Sequence, residues 1–249
     1  MKAASAPLIS TAFSEKSMLS KHELMAWLQR IYPDASSQTL TWRISDLKHR
    51  GVLQSIGRGV YRLSTAKAFQ PILGNLTKRI AKQLAKELPL VESCIWETRW
   101  ISSWMNLQPA ATWIMVEVEK EMLESVFYRL KEQFKNVFLD PDRKMTELYL
   151  LHLNEAIIIK PLVKEAPMRS DDGILTAMPE KILVDIVAEP DLFQAQQGEL
   201  EDIFNVAFQE LPINQSKMLR YAGRRRKQQA VEQLIPAAQK LIITPQDIK

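Results

Sequence analysis

The sequence predicts a protein of mixed α+β and α/β class in two parts, a small N-terminal helical module with a hairpin and a larger α/β part ending in helices. Residues 36–63 combine helical spacing of apolar residues with a hairpin pattern, whereas after residue 70 short β-prone runs alternate with amphipathic stretches. The net charge differs between the same two parts. Residues 1–70 carry +6 and residues 71–249 carry −2, which gives the total of +4. The predicted domains are therefore 1–70 and 71–249, the first basic enough for a polyanionic partner.

One stretch of the N-terminal module has the pattern of an amphipathic helix. Leu40, Ile44 and Leu47 recur at helical spacing and would form one buried face. Ser36 or Ser37 can cap the start of this helix by accepting a hydrogen bond from an unpaired backbone amide. The opposite face and its flanks are mostly polar and free for a partner. The candidate contact residues on this helix are Ser37, Gln38, Thr41, Trp42, Arg43, Ser45, Lys48 and His49.

A hairpin pattern follows this helix. Two β-prone runs, residues 52–56 and 60–63, flank a Gly-Arg-Gly triplet whose glycines permit the positive φ of a tight turn. The hairpin would carry Arg58 at its tip and Arg62 on its second strand. A helix able to enter a major groove, followed by such a hairpin, predicts a winged helix-turn-helix that binds double-stranded DNA.

The residues before the helix predict the rest of the module. A short first helix is expected over residues 7–14. Ser20 and Glu23 have capping-box spacing, and apolar residues at helical intervals continue from there until Pro33 stops the run. The order helix, helix, turn, helix, hairpin thus fills residues 7–63, which is compact enough for an independent DNA-binding unit.

The candidate DNA contacts differ in their expected roles. Arg58 is the strongest candidate, because a hairpin tip needs no large side chain for stability. Arg43 lies off the centre of the exposed face, which favours phosphate contact over base reading. Trp42 either contacts a base or deoxyribose, or anchors the core or the hairpin.

The second part is predicted from alternating patterns after a connector at residues 64–75. An amphipathic helix over residues 76–88 ends at Pro89. The predicted strands are then 90–96, 112–118, 137–139 and 156–159, and the predicted helices are 98–106 and 120–135. Continuous apolarity suits 156–159 to a buried central strand. From Pro179 onward the pattern is helical.

A dense basic segment lies near the C-terminus. It places five cations within eight positions, namely Arg220, Arg224, Arg225, Arg226 and Lys227. Such a run is either a solvated helix face or a second contact surface for nucleic acid or an acidic protein.

Composition excludes several other classes. Cys94 is the sole cysteine, so no internal disulfide can form, and with three histidines beside it no zinc site is expected. No apolar run approaches the roughly 18 residues of a membrane span, and the N-terminus lacks a signal-peptide pattern. We therefore expect a cytoplasmic protein with no cofactor, no metal and no membrane contact.

Enzymatic chemistry has weak support in the sequence. Asp140, Asp142 and Glu117 are carboxylates of the type used by a magnesium-dependent phosphodiesterase. However, Glu119 and Lys120 are adjacent and would face opposite sides of a strand. Neither a Gly-rich phosphate loop nor a Gly-x-Ser-x-Gly elbow occurs. We predict no catalytic residue and no enzyme, and a winged-helix nuclease is the weaker alternative.

Several motifs resemble one known family. The matching stretches are Thr39–Ile44, Gly57–Tyr61, Ile158–Leu162, Met178–Ile186, Leu219–Ala222 and Arg224–Arg225. Their order over most of residues 15–228 is similar to that of the AbiE-type antitoxins of type IV toxin-antitoxin systems, which are associated with abortive phage infection. The Pro-Glu-Lys-x-Leu-Val-Asp segment supplies most of the specificity.

The resemblance implies two activities. The N-terminal domain would bind the operon's own promoter and repress it, and the C-terminal domain would counteract a cognate nucleotidyltransferase-like toxin, directly or indirectly. The alternative is a winged-helix transcription regulator whose α/β domain binds a small ligand. Within the Met178–Ile186 motif we expect structural roles, because Glu180 suits the first turn of a helix and Lys181 can pair with Asp185 one turn later.

Overall fold

The structure, a computed structural model, describes residues 9–49, 52–57, 59–63, 69–171 and 173–237. These residues divide into two units. The first holds the described residues up to Phe69 together with Phe208–Ser216 and Ala237, and the second holds Gln70–Ala207 and Lys217–Pro236. The segment Phe208–Ser216 therefore joins the N-terminal unit, although the sequence assigned it to the second part. No helix within the described ranges is long and apolar enough to cross a membrane.

The described residues up to Phe69 form short strands and helices. After a 3-10 turn at Thr11–Phe13 the elements are β1 (Leu19–Ser20), α1 (Lys21–Ile31), α2 (Ser37–His49), β2 (Leu53–Gly57) and β3 (Val60–Leu63). Strand β3 lies between β1 and β2 and is antiparallel to both. Gly59 has a φ of +72°, which is the positive φ that the turn pattern predicted.

Both helix starts follow from local hydrogen bonds. The hydroxyl of Ser20 accepts from the amide of Glu23 at 3.2 Å, and the Glu23 carboxylate accepts from the amide of Ser20 at 2.8 Å. The predicted capping box is thus confirmed. At α2 the cap is Ser36, whose hydroxyl accepts from the amide of Thr39 at 3.2 Å. Beyond these caps, the apolar faces of α1 and α2 meet in one core that includes Leu24, Leu28, Leu40, Ile44 and Leu47.

From Gln70 onward the chain is mixed α/β, as the sequence predicted. The helices are α3 (Asn75–Glu87), α4 (Leu123–Lys131), α5 (Arg143–Leu148), α6 (Pro179–Ala188), α7 (Gln194–Gln197), α8 (Leu200–Glu210), α9 (Gln215–Arg224) and α10 (Gln228–Leu234). The strands are β4 (Ser93–Glu97), β5 (Thr112–Val118), β6 (Val137–Leu139), β7 (Glu155–Pro161), β8 (Met168–Asp171) and β9 (Ile174–Ala177). Short 3-10 segments occur at Thr98–Trp104, Lys120–Met122 and Leu150–His152.

The six strands form one sheet in the order β6-β7-β5-β4-β9-β8. Strands β5 and β6 are parallel to β7, β4 is antiparallel to β5 and parallel to β9, and β8 is antiparallel to β9. Residues 156–159 lie in the buried, central strand β7, so that prediction is confirmed.

Strand alternation sends β5 side chains to two different layers. Ile114, Val116 and Val118 pack with apolar residues of α3 and α4 on one face. Residue 117 points to the other face, where its carboxylate meets Lys181 of α6. Register places Cys94 of β4 and Lys160 of β7 beside Glu117. This second face carries most of the charged residues considered below.

Some predicted elements needed correction. Strand β4 begins at Ser93 rather than Leu90, whose side chain is 99% exposed. Trp96, Trp100 and Trp104 are all buried, the first in β4 and the other two in the 3-10 segment that follows it. The β8–β9 hairpin was not predicted.

Candidate functional site

The exposed face of α2 carries most of the predicted contact residues. Ser37, Gln38, Thr41, Trp42 and Ser45 are all exposed. The Trp42 side chain is 61% exposed, so its alternative role as a core anchor is wrong. This exposure has a simple cause, because the apolar residues of α2 occupy the opposite face of the helix. An exposed tryptophan among short polar side chains is a surface suited to a planar or sugar-like partner.

The predicted basic residues of the N-terminal unit are less uniformly exposed. The ammonium of the half-buried Lys48 lies 6.0 Å from the ring centroid of Tyr61. The half-buried Arg62 donates from Nε to Oε1 of Gln54 at 2.8 Å, across the β2–β3 pair. His49 ends α2, but its side chain and the whole of Arg58 lie outside the described residues.

Arg43 is a correction to the sequence prediction. Its side chain is 6% exposed, and its guanidinium carbon lies 3.9 Å from the ring centroid of Tyr32. The reason is helical geometry, because Arg43 follows Leu40 by three positions and precedes Leu47 by four, and both of these are core residues. Arg43 therefore packs against an aromatic ring as a cation–π pair instead of presenting its charge to a phosphate.

The five cations of the C-terminal basic segment also differ in exposure. Arg225 is buried to 13% exposure and pairs with carboxylates inside the second unit. Arg220 and Arg224 both pair with Glu165, the former at 3.4 Å. Arg226 is exposed and Lys227 is half-buried. Of the five predicted cations, Arg225 is thus removed from the surface, whereas the side chains of Arg220 and Arg224 remain 62% and 56% exposed beside Glu165.

A buried charge cluster lies on the second face of the sheet. The fully buried ammonium of Lys181 hydrogen-bonds both Glu117 and Asp185, which are 4% exposed. The indole N–H of Trp96 donates to Glu117 at 2.7 Å, and the hydroxyl of Tyr221 donates to Asp185 at 2.9 Å. The predicted Lys181–Asp185 pair on one helix is thus confirmed. Each buried carboxylate therefore accepts from two side-chain donors, at Oε1 of Glu117 and at both oxygens of Asp185.

This cluster continues outward through alternating charges. Nε of Arg225 lies 3.6 Å from Asp185, and its terminal nitrogen pairs with Glu189 at 2.6 Å. Lys160 pairs with Glu189 at 2.5 Å and with the half-exposed Asp140 at 2.6 Å. We call the set formed by Glu117, Lys181, Asp185, Arg225, Glu189, Lys160 and Asp140 the buried ion network. It connects β5, β7, α6 and the end of α9.

Burial and neighbouring charge compete in this network. Burial by itself would lower the pKa of Lys181, but the carboxylates of Asp185 and Glu117 outweigh it and hold that pKa well above its ordinary value. Burial raises the pKa of Glu117, and Lys181 opposes this rise. Burial also raises the pKa of the Cys94 thiol and of the Tyr221 hydroxyl. Lys181 is therefore a cation at neutral pH, and its buried ammonium donates to Glu117 and Asp185.

Two of the predicted nuclease carboxylates, Glu117 and Asp140, belong to the buried ion network, and Asp142 lies outside it. Glu117 is buried against Lys181, and Asp140 pairs with Lys160. Asp142 caps α5 by accepting from the amide of Met145 at 2.7 Å. Among the described residues, no group of three or more His, Cys, Asp or Glu side chains could hold a metal ion. Each of the three carboxylates thus has a contact within the described chain.

Sequence reasoning missed most members of the buried ion network. The available signal is a charged residue within a run of buried β-branched residues, as at Glu117 in Trp-Ile-Met-Val-Glu-Val and Lys160 in Ile-Ile-Ile-Lys. Charged residues are almost never fully buried unless they are paired, so such positions predict a partner. They do not identify it.

The fold and these contacts define a mixed α/β protein with a buried ion network in its second unit. The chain belongs to DUF6577, a family described as being of unknown function, whose sequence profile matches residues 39–240. No curated protein matches it. The crystal structure of the RV2827C protein from Mycobacterium tuberculosis is similar at 13% identity, covering 95% of this chain and 80% of that chain with a TM-score of 0.23.

Proposed function

We propose that the protein is a DNA-binding transcription regulator that represses its own promoter and acts as the antitoxin of a type IV toxin-antitoxin system. Its N-terminal unit would be a winged helix-turn-helix, with α2 as the recognition helix and the β2–β3 hairpin as the wing. The observation that carries the DNA-binding part is the exposed polar face of α2 with Trp42 at its centre.

The order of elements supports this proposal. A capped helix, a short connection, a second capped helix and a hairpin with a glycine turn follow one another over residues 21–63. The exposed face of α2 offers hydroxyl and amide groups, which can hydrogen-bond base edges, and these lie on a unit with excess positive charge. These side chains are exposed, so their hydroxyl and amide groups are accessible to a partner.

The antitoxin part rests on the resemblance to AbiE-type antitoxins. Its most specific motif, Met178–Ile186, covers the start and most of α6. In that motif Pro179 through Ile186 are buried, and Lys181 and Asp185 belong to the buried ion network. The motif therefore contributes to the interior of the second unit, and contact with a toxin would use other surfaces.

Promoter binding can be tested with the full-length protein. Fluorescence anisotropy would compare DNA from upstream of its own gene with shuffled DNA of equal length, using wild type, Trp42→Ala and Tyr128→Ala. Tyr128 is a matched control, because it is also a large exposed aromatic residue, at 63% exposure, but lies on α4 of the second unit. Selective loss of binding in Trp42→Ala is expected. Equal binding by all three proteins would remove α2 as the recognition helix.

Antitoxicity needs a separate test. The adjacent genes would be expressed one at a time with wild type or with the Trp42→Ala variant, and growth would be scored. Because Phe208–Ser216 belongs to the N-terminal unit, a point variant is a cleaner probe than removal of residues 1–70. Rescue by both proteins would assign antitoxicity to a function other than DNA binding. If no adjacent gene is toxic, the antitoxin part of the proposal fails.

A further inference from the structure

The second unit contains a cavity that none of the foregoing functions uses. Its volume is about 300 Å³, at the lower end of the range for small-molecule sites. The buried side of its wall is formed by Thr98, Trp113, Leu192, Phe193 and Gln196. The outer side includes exposed residues, with His152 and Asn154 among them. The cavity is therefore open to solvent on its exposed side, and the buried part of its wall is mostly apolar.

The residues that line the cavity favour an uncharged ligand. No Asp, Glu, Lys or Arg contributes to this wall, and His152 is its one ionisable side chain. Trp113 and Phe193 supply aromatic surface, which favours a flat apolar ligand. Phe193 stacks against Trp96 with ring centroids 5.8 Å apart, and Trp96 is held by its hydrogen bond to Glu117. The buried ion network thus fixes one wall of the cavity from behind.

Two buried polar groups in the lining lack a strong protein partner. The amide of Gln196 is 5% exposed, and its hydrogen bond within the described chain is to the thioether of Met105 at 3.8 Å. Sulfur of that type is a weak acceptor, and a side-chain amide can both donate and accept. The indole N–H of Trp113 is buried and has no hydrogen-bond partner among the described residues. Leaving a buried donor unpaired costs about 1–3 kcal/mol.

We propose that this cavity binds a small, neutral, flat heteroaromatic molecule with a hydrogen-bond donor and an acceptor on its ring edge. The aromatic walls take the ring faces, and the amide of Gln196 pairs with the polar edge. This site gives the ligand-binding alternative a location in the α/β unit, and it does not depend on DNA binding or on a toxin.

Isothermal titration of the full-length protein tests the proposal. The probes are adenine, hypoxanthine, cytosine and nicotinamide, with indole as a ring of low polarity and benzoate as a charged ring. Gln196→Met keeps the side-chain length but removes the amide, and Ala195→Phe fills the cavity from an exposed position. Gln194→Met is the matched control, because Gln194 lies on the same short helix outside the lining and bonds Asp191. Circular dichroism and thermal unfolding would establish that each variant is folded.

At least one of the four heteroaromatic probes is expected to bind and to raise the melting temperature. Gln196→Met is expected to weaken that binding about fivefold to tenfold, the value of one hydrogen bond. Ala195→Phe should abolish it, and Gln194→Met should bind like wild type. The proposal is wrong if none of the four probes binds, or if both cavity variants bind like wild type. Tighter binding of indole or benzoate would also overturn it, because it would show that the cavity selects a different chemistry.

Discussion

Lys181 and Asp185 lie one turn apart on α6 with both side chains buried, and the Lys181 ammonium hydrogen-bonds Asp185 and Glu117 together. One cation between two carboxylates leaves an excess negative charge, which Arg225 offsets from 3.6 Å. A buried ion network of this kind adds little net stability, because its desolvation cost is close to its Coulombic gain. Its importance is that removal of one member leaves the others uncompensated.

Replacement of Lys181 by Met should therefore destabilise the protein strongly. The variant leaves Glu117 and Asp185 buried without their common cation, a change that typically costs about 3–5 kcal/mol. Urea unfolding followed by circular dichroism would measure the loss. Lys144→Met is the matched control, because Lys144 is exposed on α5, and its replacement should change stability by less than about 0.5 kcal/mol.

A compensated variant separates charge from packing. Glu117→Gln, Lys181→Met and Asp185→Asn combined remove all three charges, and the new amides can still accept from Trp96 and Tyr221. This triple variant should recover most of the stability that Lys181→Met loses, since no unpaired buried charge remains. Equal destabilisation of the two variants would show instead that the shape of the lysine side chain matters more than its charge.

The capping box of α1 predicts a pH dependence in the N-terminal unit. Hydrogen bonds from Lys16 and from Ser20 lower the pKa of Glu23 from its ordinary value of 4.5 to about 2. A lowered folded-state pKa stabilises the fold above pH 4.5, and this contribution is lost as the pH falls towards about 2. NMR titration should give the low pKa directly. In acid unfolding, Glu23→Gln should remove this pH dependence, whereas Glu15→Gln, at an exposed neighbouring carboxylate, should retain it.

Cys94 should be inert in the folded protein. Its thiol is fully buried, and burial raises its pKa, so very little reactive thiolate forms. Ellman's reagent should react with no thiol in the native protein at pH 8 and with one thiol after unfolding in guanidinium. Ser17→Cys adds a thiol at an exposed position and should react at once. Fast reaction of wild-type Cys94 would mean that the sheet opens locally near β4.

How far the sequence predicts this fold depends on whether the signal is local. The bounds of β5 and β6 match the predicted strands, and the α1 capping box matches its predicted residues, because each depends on neighbours along the chain. The short β8–β9 hairpin has no apolar alternation long enough to be recognised. Its two four-residue strands pair with each other, and β9 also pairs with β4, which is distant in the sequence.

In the candidate sites, too, contacts between residues distant in the sequence could not be predicted. The Glu117 position predicts a buried partner, but Lys181 lies 64 residues away in the chain, and no local pattern connects them. Helical geometry could have placed Arg43 between two core residues, yet its contact with Tyr32 depends on the loop after α1. Side chains on an exposed helix face, such as Gln38 and Ser45, are predicted better because the buried face alone determines where they point.

The contrast between Arg43 and Arg58 gives a direct test of which cations meet DNA. If Arg58 contacts one phosphate, Arg58→Ala should reduce the slope of log affinity against log salt by about 1 unit. Arg43→Met should leave that slope unchanged, because its guanidinium packs on Tyr32 in the interior, and should instead lower the melting temperature. Anisotropy titrations at several salt concentrations, with thermal unfolding of each protein, separate the two effects. A reduced slope in Arg43→Met at unchanged stability would return Arg43 to the DNA surface, and an unchanged slope in Arg58→Ala would remove Arg58 from it.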